Sequence, residues 1–129
     1  MPETDLVDDK SIPDENPLWR RIHPEHWVPG GQGNFRLSSA AFQDHPNGSP
    51  MSVFIVGAES SVEAALRGYR GFGLAEFSAG LARRLDQGIH RAPLPDQPDH
   101  GEVFGKKTHS VKKAFASNAA LVQPPMPGD

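Results

Sequence analysis

Arginine, serine and glutamate occur in this chain in an order that chemistry could use: Arg20 or Arg21, then Ser38 and Ser39, then Glu102. A guanidinium forks two N–H donors onto phosphate oxygens, and a carboxylate stabilises positive charge developing on a reacting carbon. If the segments carrying them pair as neighbouring strands, these residues could line one cleft. A second group is Gly105-Lys106-Lys107-Thr108, with Lys112 and Lys113 close behind. Glycine exposes backbone amides, a helix starting at Thr108 turns its positive end toward the same point, and the lysines add charge, which suits a phosphate or a nucleic-acid backbone. The spacing departs from that of a nucleoside-triphosphate loop, with three residues instead of four between Gly101 and Gly105 and an extra lysine before Thr108. The third group is the histidines: His23, His26, His45, His90, His100 and His109. His23 and His26 have a metal-ligand spacing that Pro24 interrupts, and neither cysteine nor a second close pair supplies the remaining ligands zinc requires. No metal site is expected. His23 and His100 are expected to make structural hydrogen bonds while the other histidines face solvent.

The elements that must position these groups are legible from patterning. Leu18 to His23 reads as a first strand stopped by Pro24, and Pro29 to Asn34 as a loop. Phe35 to Phe42 alternates as a second strand, and Met51 to Val56 is a continuous apolar run suited to a strand buried on both faces. Ser60 with Glu63 fits a capping box opening a helix to about Gly68. Gly71 to Phe77 is read as a strand and Ser78 as the cap of a helix ending at Gly88, in preference to one helix from Leu74 to Asp86. Ile89 to Ala92 and Glu102 to Phe104 are strand candidates, Thr108 opens a third helix, and Leu121-Val122 returns as an edge strand. The expected fold is therefore α+β, one small mixed sheet with about three short helices.

At 129 residues, with 36% hydrophobic residues, 13 Gly and 13 Pro, the chain suits one domain with a modest core and many turns. Residues 1–17 carry six acids against Lys10 and little large apolar surface, so they read as a disordered acidic arm. The proline-rich residues 123–129 read as a flexible tail, leaving 18–122 as the single domain. Without cysteine there is no disulfide framework and no thiolate nucleophile, which points to a reducing, cytoplasmic setting. The start of the chain lacks the apolar segment of a secretory signal, and the longest apolar run, Val53 to Val56, is too short to cross a bilayer. No membrane partner is expected. The aromatic residues are spread through all the expected elements, as in a core, with Trp27 in a loop as a lid or a partner anchor.

The segments Leu18-Trp19-Arg20-Arg21-Ile22-His23-Pro24, Ser38 to Phe42, Met51-Ser52-Val53 and His100 to Thr108 together resemble a family of small bacterial proteins with no assigned activity. The resemblance spans about residues 18–122 and implies a bacterial source without implying a chemistry. The Arg, Ser and Glu order is also similar to that of ADP-ribosyltransferases, although the Ser-Thr-Ser form is absent. That similarity implies an NAD-using enzyme with Arg21, Ser39 and Glu102 as its site residues. The leading expectation is a cytosolic accessory or interaction protein that uses no cofactor. Its basic corner at Gly105, Lys106, Lys107, Thr108, Lys112 and Lys113 would bind an anion or nucleic acid, and a protein partner is expected. The alternatives are the NAD-using enzyme and a structural subunit of a larger complex, marked by apolar surface near Trp27 or Phe72.

Overall fold

A computed structural model describes residues 6–126 of the chain. The fold is α+β: a six-stranded antiparallel sheet in the order β6-β7-β4-β1-β5-β8, a separate two-stranded sheet β2-β3, and three helices among the described residues. The strands are β1 (Pro17–Ile22), β2 (Trp27–Gly31), β3 (Asn34–Leu37), β4 (Met51–Ile55), β5 (Gly73–Ser78), β6 (Gly88–Arg91), β7 (His100–Phe104) and β8 (Ala120–Gln123). The helices are α1 (Val62–Leu66), α2 (Ala79–Arg84) and α3 (His109–Asn118). Among the described residues no helix is long and apolar enough to cross a membrane.

Each helix starts where a hydroxyl accepts the orphan amides of its first turn. Ser61 accepts from Ala64 N, Ser78 from Leu81 N and Thr108 from Val111 N. The cap of α1 is thus Ser61, one residue later than the capping-box reading. Ser60 instead accepts from Gly57 N and donates to Asp99, tying the helix entry to the segment before β7. The expected strand from Phe35 to Phe42 ends at Leu37, because the Ser38 hydroxyl accepts from Ala40 N and turns the chain into a 3-10 segment, Ser39–Ala41. β3 pairs with β2 as a hairpin whose turn residues Gln32 and Gly33 both have positive φ. Of the four segments expected to adjoin, those at Leu18, Met51 and Glu102 do so as β1, β4 and β7, while the one at Phe35 stands apart.

One sheet face carries the main core. Leu18, Ile22, Met51, Val53, Ile55, Phe77, Ile89 and Val103 pack there beneath α2, α3 and the Ser39–Ala41 turn, with Phe42 stacked on Phe115 at a centroid distance of 5.8 Å. The described part of the expected acidic arm belongs to this core as well. Ile12 is fully buried, Asp9 N donates to Ile89 O, and the Asp8 carboxylate accepts from Ile89 N while pairing with Arg83 at 3.1 Å. Residues 6–16 are therefore a packed strap, because one apolar side chain, one backbone hydrogen bond and two charge-assisted contacts offset the ordering that composition alone did not favour. At the other end Gln123 lies in β8, Pro125 is buried and Met126 N donates to Gly71 O. The readings placed on residues 1–5 and 127–129 fall outside the described residues.

The opposite face is only half covered. α1 seals Trp19, Phe54 and Leu74 through Ala65, a cluster continued by Val62 and Leu66. The rest of that face opens into a cleft.

Candidate functional site in the arginine and histidine cleft

Directly paired residues of an antiparallel sheet share a face. Trp19 pairs with Phe54, Phe54 with His100, Ser52 with Glu102 and Glu102 with His90, so all of these lie on the half-covered face. Arg21, two residues beyond Trp19, joins them. The cleft of about 450 Å³ at the end of β1 is lined by Arg20, Arg21 and Arg67, by His23, His26, His45 and His100, and by Ser52, Tyr69 and Phe72, with Asp96 the one carboxylate among the described residues that line it. A concave site with this excess of cations attracts anions.

Arg21 is held more tightly than an ordinary surface arginine. Its Cζ lies 3.6 Å from the Tyr69 ring centroid and 4.7 Å from that of Phe54, and its Nε donates to Ala65 O at 2.7 Å. Among the described residues neither terminal amine has a hydrogen-bond partner, which leaves the fork that recognises phosphate uncommitted in a residue that lines the cleft. Burial lowers the Arg21 pKa from its ordinary value, opposed by Tyr69 and Asp96. Arg20 is buried deeper and donates to three carbonyls, Ala41 O, Ser52 O and Gln43 O. Burial, then the neighbouring Arg21, brings its pKa down to about 10, with Asp44 acting in the opposite sense. It remains a cation at neutral pH, makes no ion pair among the described residues, and adds its charge to the cleft.

The remaining walls are aromatic. Tyr69 meets Phe72 edge to face at 5.2 Å, Phe72 meets His23 at 5.1 Å, and His23 lies 5.9 Å from His26. His23 Nδ1 accepts from Glu25 N, which caps the short Pro24–His26 turn and fixes the ring. Burial lowers the His26 pKa, with His23 and Arg20 adding to the effect and Glu25 opposing it.

On the β4 side Ser52 Oγ lies 3.0 Å from His45 Nε2 and 3.1 Å from His100 Nε2. The other nitrogen of His100 is 2.8 Å from Ala92 O. Since a carbonyl only accepts, Nδ1 carries the proton, and a neutral His100 presents Nε2 as an acceptor to the serine hydroxyl.

Of the residues singled out as an enzyme site, Arg21 lines this cleft and the other two do not. Ser39 faces a second groove beside Arg36 and Lys113. Glu102 shares the sheet face with Arg21 but pairs with His90 at 2.8 Å on the far side of β4. The basic corner is also dispersed. The Lys107 side chain is only 5% exposed, with Nζ paired with Asp44 at 2.9 Å and donating to Val103 O and Gly105 O. Burial lowers its pKa despite Asp44. The Thr108 hydroxyl is taken by the helix cap, Lys106 O accepts from Gln87, and Gly105, at φ +136°, packs against the Gln87 side chain. Lys106 and Lys113 are exposed and Lys112 half-buried, so the corner retains charge without a formed pocket. Among the described residues no three metal-ligating side chains converge.

Sequence reasoning passed over Ser52, Tyr69 and the link from His45 to His100. One signal was present: Ser52 is the single polar residue in the run Met51 to Val56, and a polar side chain inside an apolar strand needs a partner. The partners come from loops distant in the chain. Comparison with models of known protein families, with curated proteins and with solved structures returns no match.

Proposed function

We propose that the protein binds a phosphorylated heteroaromatic ligand, a nucleotide or a dinucleotide such as NAD, in the arginine and histidine cleft. The observation that carries this reading is Arg21. The Tyr69 and Phe54 rings and the Nε contact hold its guanidinium in place, it lines a cavity of about 450 Å³, and its terminal amines have no hydrogen-bond partner among the described residues. A fixed fork loses little side-chain entropy on meeting a phosphate, and the aromatic wall from Tyr69 to His26 offers a base a surface to lie on. The volume falls within the range of small-molecule sites. The anion-binding role expected of the lysine corner is better supported here, where the cations surround a cavity.

Calorimetry at low salt with AMP, NAD and inorganic phosphate tests the reading. AMP and NAD are expected to bind more tightly than phosphate, and Arg21→Ala to weaken both by about 10- to 100-fold, the usual range for losing a charge-assisted hydrogen-bond pair. Absence of binding at millimolar nucleotide, or an unchanged affinity in Arg21→Ala, would overturn it.

A further inference from the structure

The hydroxyl of Ser52 sits between two imidazoles, and its single proton can point to only one of them. Ala92 O, 2.8 Å from His100 Nδ1, makes that nitrogen the donor, so in neutral His100 the Nε2 atom has a free lone pair facing Ser52 Oγ. The Ser52 proton therefore goes to His100. The remaining contact, at 3.0 Å, requires His45 Nε2 to be the donor and the serine oxygen the acceptor. The two histidines thus have opposite roles at one oxygen: His100 is poised to take a proton and His45 to give one. This is the arrangement that activates a serine nucleophile, with a backbone carbonyl in place of the usual carboxylate as the group orienting the base.

Its surroundings suit phosphorus. Arg21, Ser52 and His100 line one small recess that extends the main cleft toward the sheet, and the guanidinium of Arg20 is bonded to the carbonyl of Ser52 itself. Extending the Trp19 to Phe54 register by two residues sets Arg21 beside Ser52. A phosphoryl group held by Arg21 would lie against the serine oxygen, where two guanidinium charges stabilise the negative charge of the transition state.

We propose that His45, Ser52 and His100 form a catalytic relay for hydrolysis of nucleotide phosphoesters; this rests on the nucleotide-binding reading of the cleft. In the first step the Ser52 Oγ–P bond forms as the P–O bond to the leaving alcohol breaks. The hydroxyl proton passes to His100 Nε2, and His45, protonated on both ring nitrogens, gives its Nε2 proton to the departing oxygen. In the second step water attacks phosphorus and the Ser52 Oγ–P bond breaks. His45, now neutral, takes the water proton, and His100 returns its proton to Ser52. The sum is ester plus water giving phosphate and alcohol, with both histidines restored. The only co-reactant is water.

The test uses the whole chain with 4-nitrophenyl thymidine 5′-phosphate, following 4-nitrophenolate by absorbance, with AMP affinity measured in parallel. Ser52→Ala is expected to lose turnover by about 100-fold or more while still binding AMP, with the loss of affinity well below the loss of turnover. Acid-quenched parent protein is expected to carry a thymidylyl adduct on the Ser52 peptide. Should Ser52→Ala fail to fold, His45→Gln at an exposed turn replaces it, and is expected to slow the phenyl ester more than the 4-nitrophenyl ester, because only the poorer leaving group needs the acid. A merely structural His45 would slow both esters equally, and that result would count against the relay. Parent turnover no higher than that of Ser52→Ala, with AMP still bound, overturns the relay alone. Failure of the parent protein to bind AMP overturns the cleft reading and the relay with it.

Discussion

Two cations adjacent in sequence have different roles because a strand sends them to different surroundings. Arg20 is spent on three carbonyls and fastens the Ala41–Gln43 turn to β4, whereas the terminal amines of Arg21 stay uncommitted among the described residues. Lys106 and Lys107 divide in the same way, with only Lys107 buried against Asp44. Lys107→Ala is therefore expected to lower stability by roughly 1–3 kcal/mol, since it strips a half-buried carboxylate and two carbonyls of their donor. Thermal or urea unfolding measures it, and binding of a polyanion such as heparin is expected to change little. His26 supplies a pH prediction. Its pKa lies below 6.5 in the folded protein, so the unfolded chain takes up the proton first as pH falls. Its contribution to stability is then complete above 6.5 and declines below it, until the folded form protonates as well. A phosphate in the cleft favours the imidazolium, so AMP is expected to raise the His26 midpoint in an NMR titration and to bind more tightly as pH drops through that window. A midpoint unmoved by saturating AMP would place the phosphate away from His26.

Among the elements, helix starts and strand ends were the most readable, since both depend on local hydrogen bonding. Ser78 and Thr108 cap α2 and α3 as their spacing indicated, while the cap of α1 moved from Ser60 to Ser61 because Ser60 is drawn to Asp99, a partner distant in sequence. Ser61→Ala is expected to cost about 1 kcal/mol through the lost Ala64 N contact. Because α1 supplies the carbonyl of Ala65 to Arg21, the same substitution should weaken nucleotide affinity when the two are measured together. Gly73 is the tightest point of β5. A methyl there would run into Gln123 O and the Pro125 ring, so Gly73→Ala is expected to detach β8 and the residues after it while leaving β1 to β4 paired. Hydrogen exchange would register this as lost protection confined to residues 120–126 and their partners on β5.

At the scale of the whole molecule, the sheet is a partition. One face is closed by α2, α3 and the strap of residues 6–16, and the other is closed only where α1 lies, which leaves the cleft open. The strap makes stability depend on acid. Burial opposes ionisation of Asp8, but the Ile89 amide, Arg83 and Lys10 outweigh it and hold the carboxyl below its ordinary 3.8. A depressed carboxyl stabilises the fold above its unfolded value, and that contribution is lost as pH falls through the folded value. Unfolding midpoints are thus expected to drop below about pH 4, with a smaller drop in Asp8→Asn, whose stability is already reduced at neutral pH. Ile12→Ala is expected to cost about 2–5 kcal/mol, the range for emptying a fully buried aliphatic site, against almost nothing if residues 6–16 were solvated.

The sequence by itself determined the α+β class, the places of β1, β4, β5, β6 and β7, the three helices and the arginines of the first strand, because periodicity, caps and proline stops act over a few residues. Tertiary structure alone decided which polar groups meet. Ser52 acquires its meaning from His45 and His100, Arg21 from Tyr69 and Ala65, and Lys107 loses its solvent to Asp44. Those contacts join residues from 7 to 63 positions apart in the chain. Local patterning does not reach that far; strand order and burial do, which is why the basic corner read from adjacent lysines gave way to a cleft assembled from separate loops.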